Sequence, residues 1–173
     1  MAMYSSGNHT TKPQFVEPFS ENYIRRMDRM DHRFVLTDKP PPGSFQRVWQ
    51  PLLDFNQERV GDAHASTLAV LLTSAASSEI IGGFWGRTLW GSLYTDVVFV
   101  PTELRRAGIG SQLVLRAEEE ATRRQCHCSW LDTYEFQAKP FYEKLGYSVF
   151  GILEGPAPIY PRYFLQKRLA PVA

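Results

Sequence analysis

The sequence predicts an α/β domain built on one mixed sheet, and three observations carry that prediction. Two short apolar runs, Thr67 to Thr73 and Glu79 to Arg87, are separated only by small polar residues, the pattern of consecutive antiparallel strands. A run rich in β-branched and aromatic residues, Ser92 to Val100, leads through a glycine-containing turn into a helical pattern and then to a further strand, Ser129 to Asp132. A helix of that length between two strands implies a crossover, so those two strands run parallel. Two alternating segments, Tyr147 to Leu153 and Tyr163 to Leu169, close the chain as strands. At 173 residues and 43% apolar content, the chain can bury one core and is too short to divide comfortably into two.

The elements follow in order. Residues 1–33 read as a separate arm: Ser5 to Pro13 is polar and loose, while Phe19 to Arg33 carries Tyr23, Ile24, Met27 and Met30 at helical spacing. The domain proper is placed at 34–173. Phe34 to Leu36 is a strand candidate, ended by the prolines at 40, 41 and 42. Ser44 is the expected N-cap of a helix through Asn56, bent or restarted at Pro51. Ile109, Leu113, Ala117 and Ala121 recur every four residues, which predicts a helix to about Gln125. Ala138 to Leu145 is a shorter helix with Pro140 in its first turn and Gly146 as its left-handed stop. The count is six or seven strands and about four helices.

Composition narrows the function. Nineteen basic and eighteen acidic residues leave a net charge of +1, too little for a global field that would gather nucleic acid or an anionic membrane. No segment approaches the ~20 apolar residues that span a bilayer, and the first twelve residues lack a leader's basic and apolar regions. Cys126 and Cys128 are spaced for neither a disulfide framework nor a metal knuckle; with His127 between them they read as a helix-to-strand turn. The expectation is a cytoplasmic protein with no metal.

The turn after Val100 carries the first chemical signal. Arg105-Arg106-Ala107-Gly108-Ile109-Gly110-Ser111 stands between a strand and a helix, where free backbone N–H groups converge at the positive end of the helix dipole. Gly108 and Gly110 let an anion approach the backbone, and Arg105 and Arg106 add positive charge. The turn lacks the G-K-[S/T] ending of a P-loop and the third glycine of a dinucleotide fingerprint.

With Arg105, Gly108 and Gly110 directly after a strand, the chain resembles the GNAT superfamily of acetyltransferases, whose motif is R/Q-x-x-G-x-G/A. The family's second hallmark, an aromatic-Tyr pair in a short helix ending in Gly-aromatic, is met by Phe141-Tyr142 and Gly146-Tyr147. The match runs from about Glu79 to Leu169, extends in pattern to Phe34, and does not cover the arm. The resemblance implies a mostly antiparallel twisted sheet whose two parallel strands splay apart around acetyl-CoA. Val98, Phe99 and Val100 would then pair with the pantetheine arm, residues 105–111 would hold the pyrophosphate, and Lys139 or Lys144 would reach the adenosine phosphates.

The same resemblance assigns Tyr142 as the acid that protonates the departing thiolate. A lysine-like amine has a pKa of about 10.4 and must lose a proton before it attacks. Asp96, before the turn and with the parity of Val98 and Val100, and Glu135, beyond the partner strand, are the two candidates for the base. Glu135 stands where many family members have an Asn that fixes the cofactor arm, and as a carboxylate it suits a cationic acceptor. Asp132 lies at the strand end where α/β ligands bind, and Trp85 and Tyr94, with Trp90, suit an aromatic wall for an amine. The implied reaction is acetyl transfer to a primary amine of a small molecule or peptide. A CoA-binding module that has lost catalysis is the other reading of these residues, and Phe19 to Arg33 suits either a homodimer arm or a helix on its own domain.

Overall fold

The computed structural model describes residues 33–169. The predicted helix at 19–33 lies, but for its last residue, outside them. The chain divides after Ser44, and the compact unit is Phe45–Ala173. Its strands are β1 (Ser66–Thr73), β2 (Ile80–Leu89), β3 (Ser92–Phe99), β4 (Cys128–Tyr134), β5 (Ser148–Leu153) and β6 (Arg162–Arg168). The helices are α1 (Ser44–Val60), α2 (Ile109–Arg123) and α3 (Lys139–Lys144), with a single 3-10 turn, Thr102–Leu104. One sheet takes the order β1-β2-β3-β4-β6-β5, and only β3 and β4 run parallel. Three α-helices rather than about four are therefore present among the described residues.

Two expectations near the start of this region change. Phe34 to Leu36 is not a strand: the three side chains are exposed and no strand of the sheet pairs with them, so their apolar composition has no ladder to join. Ser44 is already helical and its hydroxyl donates to the Pro41 carbonyl at 2.7 Å instead of accepting from the first turn. α1 also passes Pro51 without a break, and none of its side chains is buried.

The core lies between the sheet and α2 with α3. Leu68, Phe84, Leu93, Leu131 and Leu165 project from five strands towards Leu113, Val114, Ala117 and Ala121 of α2. The four-residue recurrence that predicts α2 is the stripe it buries. Its end tightens where Gln125 takes a left-handed conformation and the Cys126 N–H reaches the Ala121 carbonyl at 2.9 Å. α3 stops in the same way: Gly146 has φ 89°, and the Tyr147 N–H bonds to the Tyr142 carbonyl at 3.1 Å.

The pairing of β3 positions the site. Against β2, Trp85 faces Val97 and Gly86 faces Thr95, so Asp96 is an extra residue, a bulge. Before the bulge Leu93 and Thr95 point to the core; after it, Val98 does. Asp96 therefore does not share a face with Val98 and Val100 as simple alternation predicts; the bulge resets the parity. β3 pairs with β4 over only three positions, from Ser92/Cys128 to Tyr94/Trp130. Beyond them both strands continue, unpaired with each other, to Phe99 and Tyr134.

Leu165 is fully buried in β6, between partners in β4 and β5. Leu165→Ala should lower unfolding free energy by about 2–5 kcal/mol, read from the denaturation midpoint at constant m-value.

Candidate active site

Where β3 and β4 part, a cleft of about 880 Å³ opens between them. Its β3 wall is Thr95 to Val100 and its β4 wall Leu131 to Thr133; beyond the strands it is bounded by the 105–111 turn and the start of α3, where the Phe141 ring packs against Gly110 and Tyr142 follows. Since β2 occupies the other edge of β3 as far as Phe99, the backbone edge facing the gap is free to accept an extended chain.

The turn is built to present N–H groups. Arg105 folds back so that its Nε donates to the Val100 carbonyl at 3.0 Å, which ties the turn to the end of β3. Arg106 has φ 67° and Gly108 φ 79°, both left-handed, before α2 starts at Ile109. A side chain at Gly108 would meet no protein atom within 4 Å; it would stand in the open space at the helix N-terminus. Arg105, Arg106, Gly108, Gly110 and Ser111 line the cleft. Ala107 completes the turn without lining it, and Ile109 packs against the core.

Tyr142 is 7% exposed and lines the same cleft. Burial raises its hydroxyl to about 12, with no charge or hydrogen bond contributing. Its ring is held edge-on by Phe141 and Tyr147, with centroids at 4.9 and 5.7 Å. The turn into α3 is closed by Gln137, whose Oε1 accepts from the Tyr134 N–H at 2.9 Å and from the Thr133 hydroxyl at 3.2 Å.

The carboxylates are distributed differently from the sequence reading. Asp96 lines the cleft but is paired with Arg87, whose guanidinium also lies 4.4 Å from the Tyr94 ring centroid. Asp132 lines it too, accepting from the Tyr94 hydroxyl at 3.1 Å and from Arg162 Nε at 2.6 Å. Burial and then Asp132 push the Tyr94 hydroxyl above its ordinary value. Glu135 does not line the cleft; its partner is the Tyr163 hydroxyl at 3.5 Å. Trp85, Tyr94 and Lys144 also lie outside the lining, Trp85 because β2 pairs with the edge of β3 that faces away from the gap, Tyr94 because it stands at the last paired position of β3 and β4, and Lys144 because the last turn of α3 exposes it. Trp90 forms the β2–β3 turn, and Lys139 is paired with Glu143 at 2.9 Å.

Several lining or flanking residues carry little or no signal in the sequence. Arg87 and Arg162 are paired with residues 9 and 30 positions away, separations at which no local pattern exists. Thr95 is 6% exposed with an unpartnered hydroxyl and stands beside the bulge. Phe136 lines the cleft, and only its place in the aromatic run Tyr134-Glu135-Phe136 hinted at it. Among the described residues no three His, Cys, Asp or Glu side chains are placed to share a metal ion, and no helix is long and apolar enough to cross a membrane.

A splayed parallel pair, with a glycine turn of open N–H groups after one strand and a buried tyrosine on the helix after the other, is the architecture of an acyl-CoA-dependent transferase. Comparison with known proteins agrees. A family model described as the Acetyltransferase (GNAT) family matches residues 24–147, and the chain belongs to that family. It is 34% identical over 123 residues to an acetyltransferase of Agrobacterium fabrum, covering 71% of this chain and 88% of that protein. It is 34% identical over 108 residues to the blasticidin-S acetyltransferase of Streptomyces morookaense, covering 61% and 79%. The crystal structure of an Agrobacterium tumefaciens protein assigned as an acetyltransferase superposes with a TM-score of 0.74 at 31% identity, over 79% of this chain and 99% of the other.

The family's donor is acetyl-CoA, and the residues present suit it: a free strand edge for an amide-bearing arm and a turn of free N–H groups for a pyrophosphate. Gly108→Glu should abolish acetyl-CoA binding in titration calorimetry, because the new side chain fills the open space at the turn with like charge, while the left-handed φ of 79° lowers the thermal midpoint only by the few degrees that about 1–2 kcal/mol represents. Retained affinity would refute the assignment of the turn.

Proposed function

We propose that this protein transfers the acetyl group of acetyl-CoA to a primary amine of a small molecule by direct attack, with Tyr142 as the proton donor to the departing sulfur. The observation that carries the proposal is the buried Tyr142 hydroxyl, which opens onto the cleft that also receives the 105–111 turn. The relative named for blasticidin-S supports a small-molecule acceptor.

Acetyl-CoA supplies an activated thioester and leaves as a thiol. Val98, Phe99 and Val100 offer their backbone edge to its arm, and the N–H groups of Gly108 to Ser111, with Arg105 and Arg106, offset the pyrophosphate charge. Lys144 serves at most the outer phosphates, since it stands outside the cleft. Tyr142 Oη holds its proton throughout the neutral range, so it can donate to sulfur as negative charge develops there. A thiol's ordinary pKa is about 8.5, well below that of this buried phenol, so the hydroxyl stabilises the thiolate first and completes transfer only as the new amide loses its proton.

On the acceptor side, Asp96 and Asp132 are each matched by an arginine, so neither is free to take the ammonium proton alone. The proton leaves to water at the open mouth, with Asp132, itself held by the Tyr94 hydroxyl, orienting the amine. Glu135, outside the cleft, contributes only long-range negative charge.

Tyr142→Phe should lower kcat by about 100-fold with little change in acetyl-CoA affinity, measured by thiol release and calorimetry. Equal loss in both would assign Tyr142 to packing. Release from no amine in a broad panel, with affinity intact, would favour the binding module instead. For the wild type, kcat/KM should rise with pH towards the amine's own pKa of about 10.4. No alkaline fall should precede pH 10, because the raised Tyr142 hydroxyl is still protonated there. A falling limb below pH 10 that disappears in Tyr142→Phe would contradict the shift.

A further inference from the structure

The acceptor mouth continues past Asp132 into a strip of aromatic rings to which the reaction so far gives no work. Tyr134 and Phe136 stack with centroids 5.5 Å apart and planes 15° from parallel. Tyr160, from the β5–β6 loop, meets Phe136 edge-on at 5.0 Å. That loop is anchored to the strip by the Glu135 N–H, which donates to the Pro161 carbonyl at 3.0 Å, so rings 24 residues apart in sequence are held as one rim. The base of the strip is polar: Arg162 lies 5.3 Å from the Tyr134 ring centroid and bonds Asp132.

These rings are not core. Phe136 is 62% exposed and Tyr160 55%, although Phe136 lines the cleft. A contiguous apolar patch left in water at the lip of a binding cleft is the signature of a ligand subsite. Its chemistry selects the ligand. Stacked and edge-on rings offer π faces and edges that favour a flat ring over a saturated one of equal size. The charge balance points the same way: the two carboxylates that line the cleft, Asp96 and Asp132, are already matched by Arg87 and Arg162, so the lining itself has no surplus negative charge for a polycation, and Glu135 beside the strip adds a single carboxylate.

Resting on the acetyltransferase reading above, we propose that Tyr134, Phe136 and Tyr160 form the acceptor's body-binding subsite, and that the acceptor is a small monoamine with a planar aromatic or heteroaromatic ring. The amine reaches past Asp132 and Tyr94 towards the thioester while the ring rests on Phe136. Arg162 is the positioning residue that joins the two parts.

Calorimetry with phenethylamine, cyclohexylethylamine and spermidine, run on the wild type and on Phe136→Leu and Tyr160→Ala, tests this directly. The wild type should bind the flat ring about tenfold more tightly than the saturated one and more tightly than spermidine. Either substitution should erase most of that preference, Phe136→Leu because it keeps apolar area but removes the π face. Acetyl-CoA titration of each variant registers any general damage to the cleft. Equal binding of the two ring compounds, a preference for spermidine, or a preference unmoved in both variants overturns the subsite. Thiol release measured with the same amines separates the two levels. Flat-ring binding without release from any amine leaves the subsite standing and sinks the enzyme reading; release without ring preference does the reverse.

Discussion

The site depends on one constraint, the early end of pairing between β3 and β4. Three paired positions hold the strands together, and the extra residue at Asp96 bends β3 away just beyond them. A parallel pair would ordinarily bury its backbone groups in a ladder. Here the unpaired groups instead face a cleft, where an extended ligand can satisfy them. The bulge also turns Val98 and Val100 towards the core, so that the strand edge stays rigid while its inner backbone remains open.

The two segments that follow the parted strands are arranged around that opening. Arg105 ties the anion-binding turn to the last carbonyl of β3, and Gln137 ties the start of α3 to the last residues of β4. Each strand thus leads into one part of the proposed chemistry, β3 into the turn offered to phosphate and β4 into the helix that carries Tyr142. The acceptor mouth is charge-balanced, with Tyr94 linking the two ion pairs through its ring and its hydroxyl.

Local signals made the sheet, the parallel pair, the turn and Tyr142 legible, because each rests on periodicity or on residues within a few positions of one another. The recurrence of Ile109, Leu113, Ala117 and Ala121 is the buried face of α2, and Gly146 is its own conformational evidence. The bulge was not legible. Nothing in Thr95-Asp96-Val97 marks an extra residue, so simple alternation puts Asp96 on the wrong face and gives Thr95 no distinction. Arg87 and Arg162 escaped for a different reason: an ion pair closed by sheet register has no sequence spacing to read. Phe34 to Leu36 failed as a strand because composition alone cannot supply a partner.

The central claim is that the free edge of β3 and the turn after it hold the donor. Backbone amide spectra of the protein, recorded with and without coenzyme A, test it residue by residue. The account expects large shifts and slowed exchange at Val98 to Val100 and at Gly108 to Ser111, with β1 and β5 unmoved. Protection confined to other segments, or saturable binding that leaves those seven amides unchanged, would contradict it.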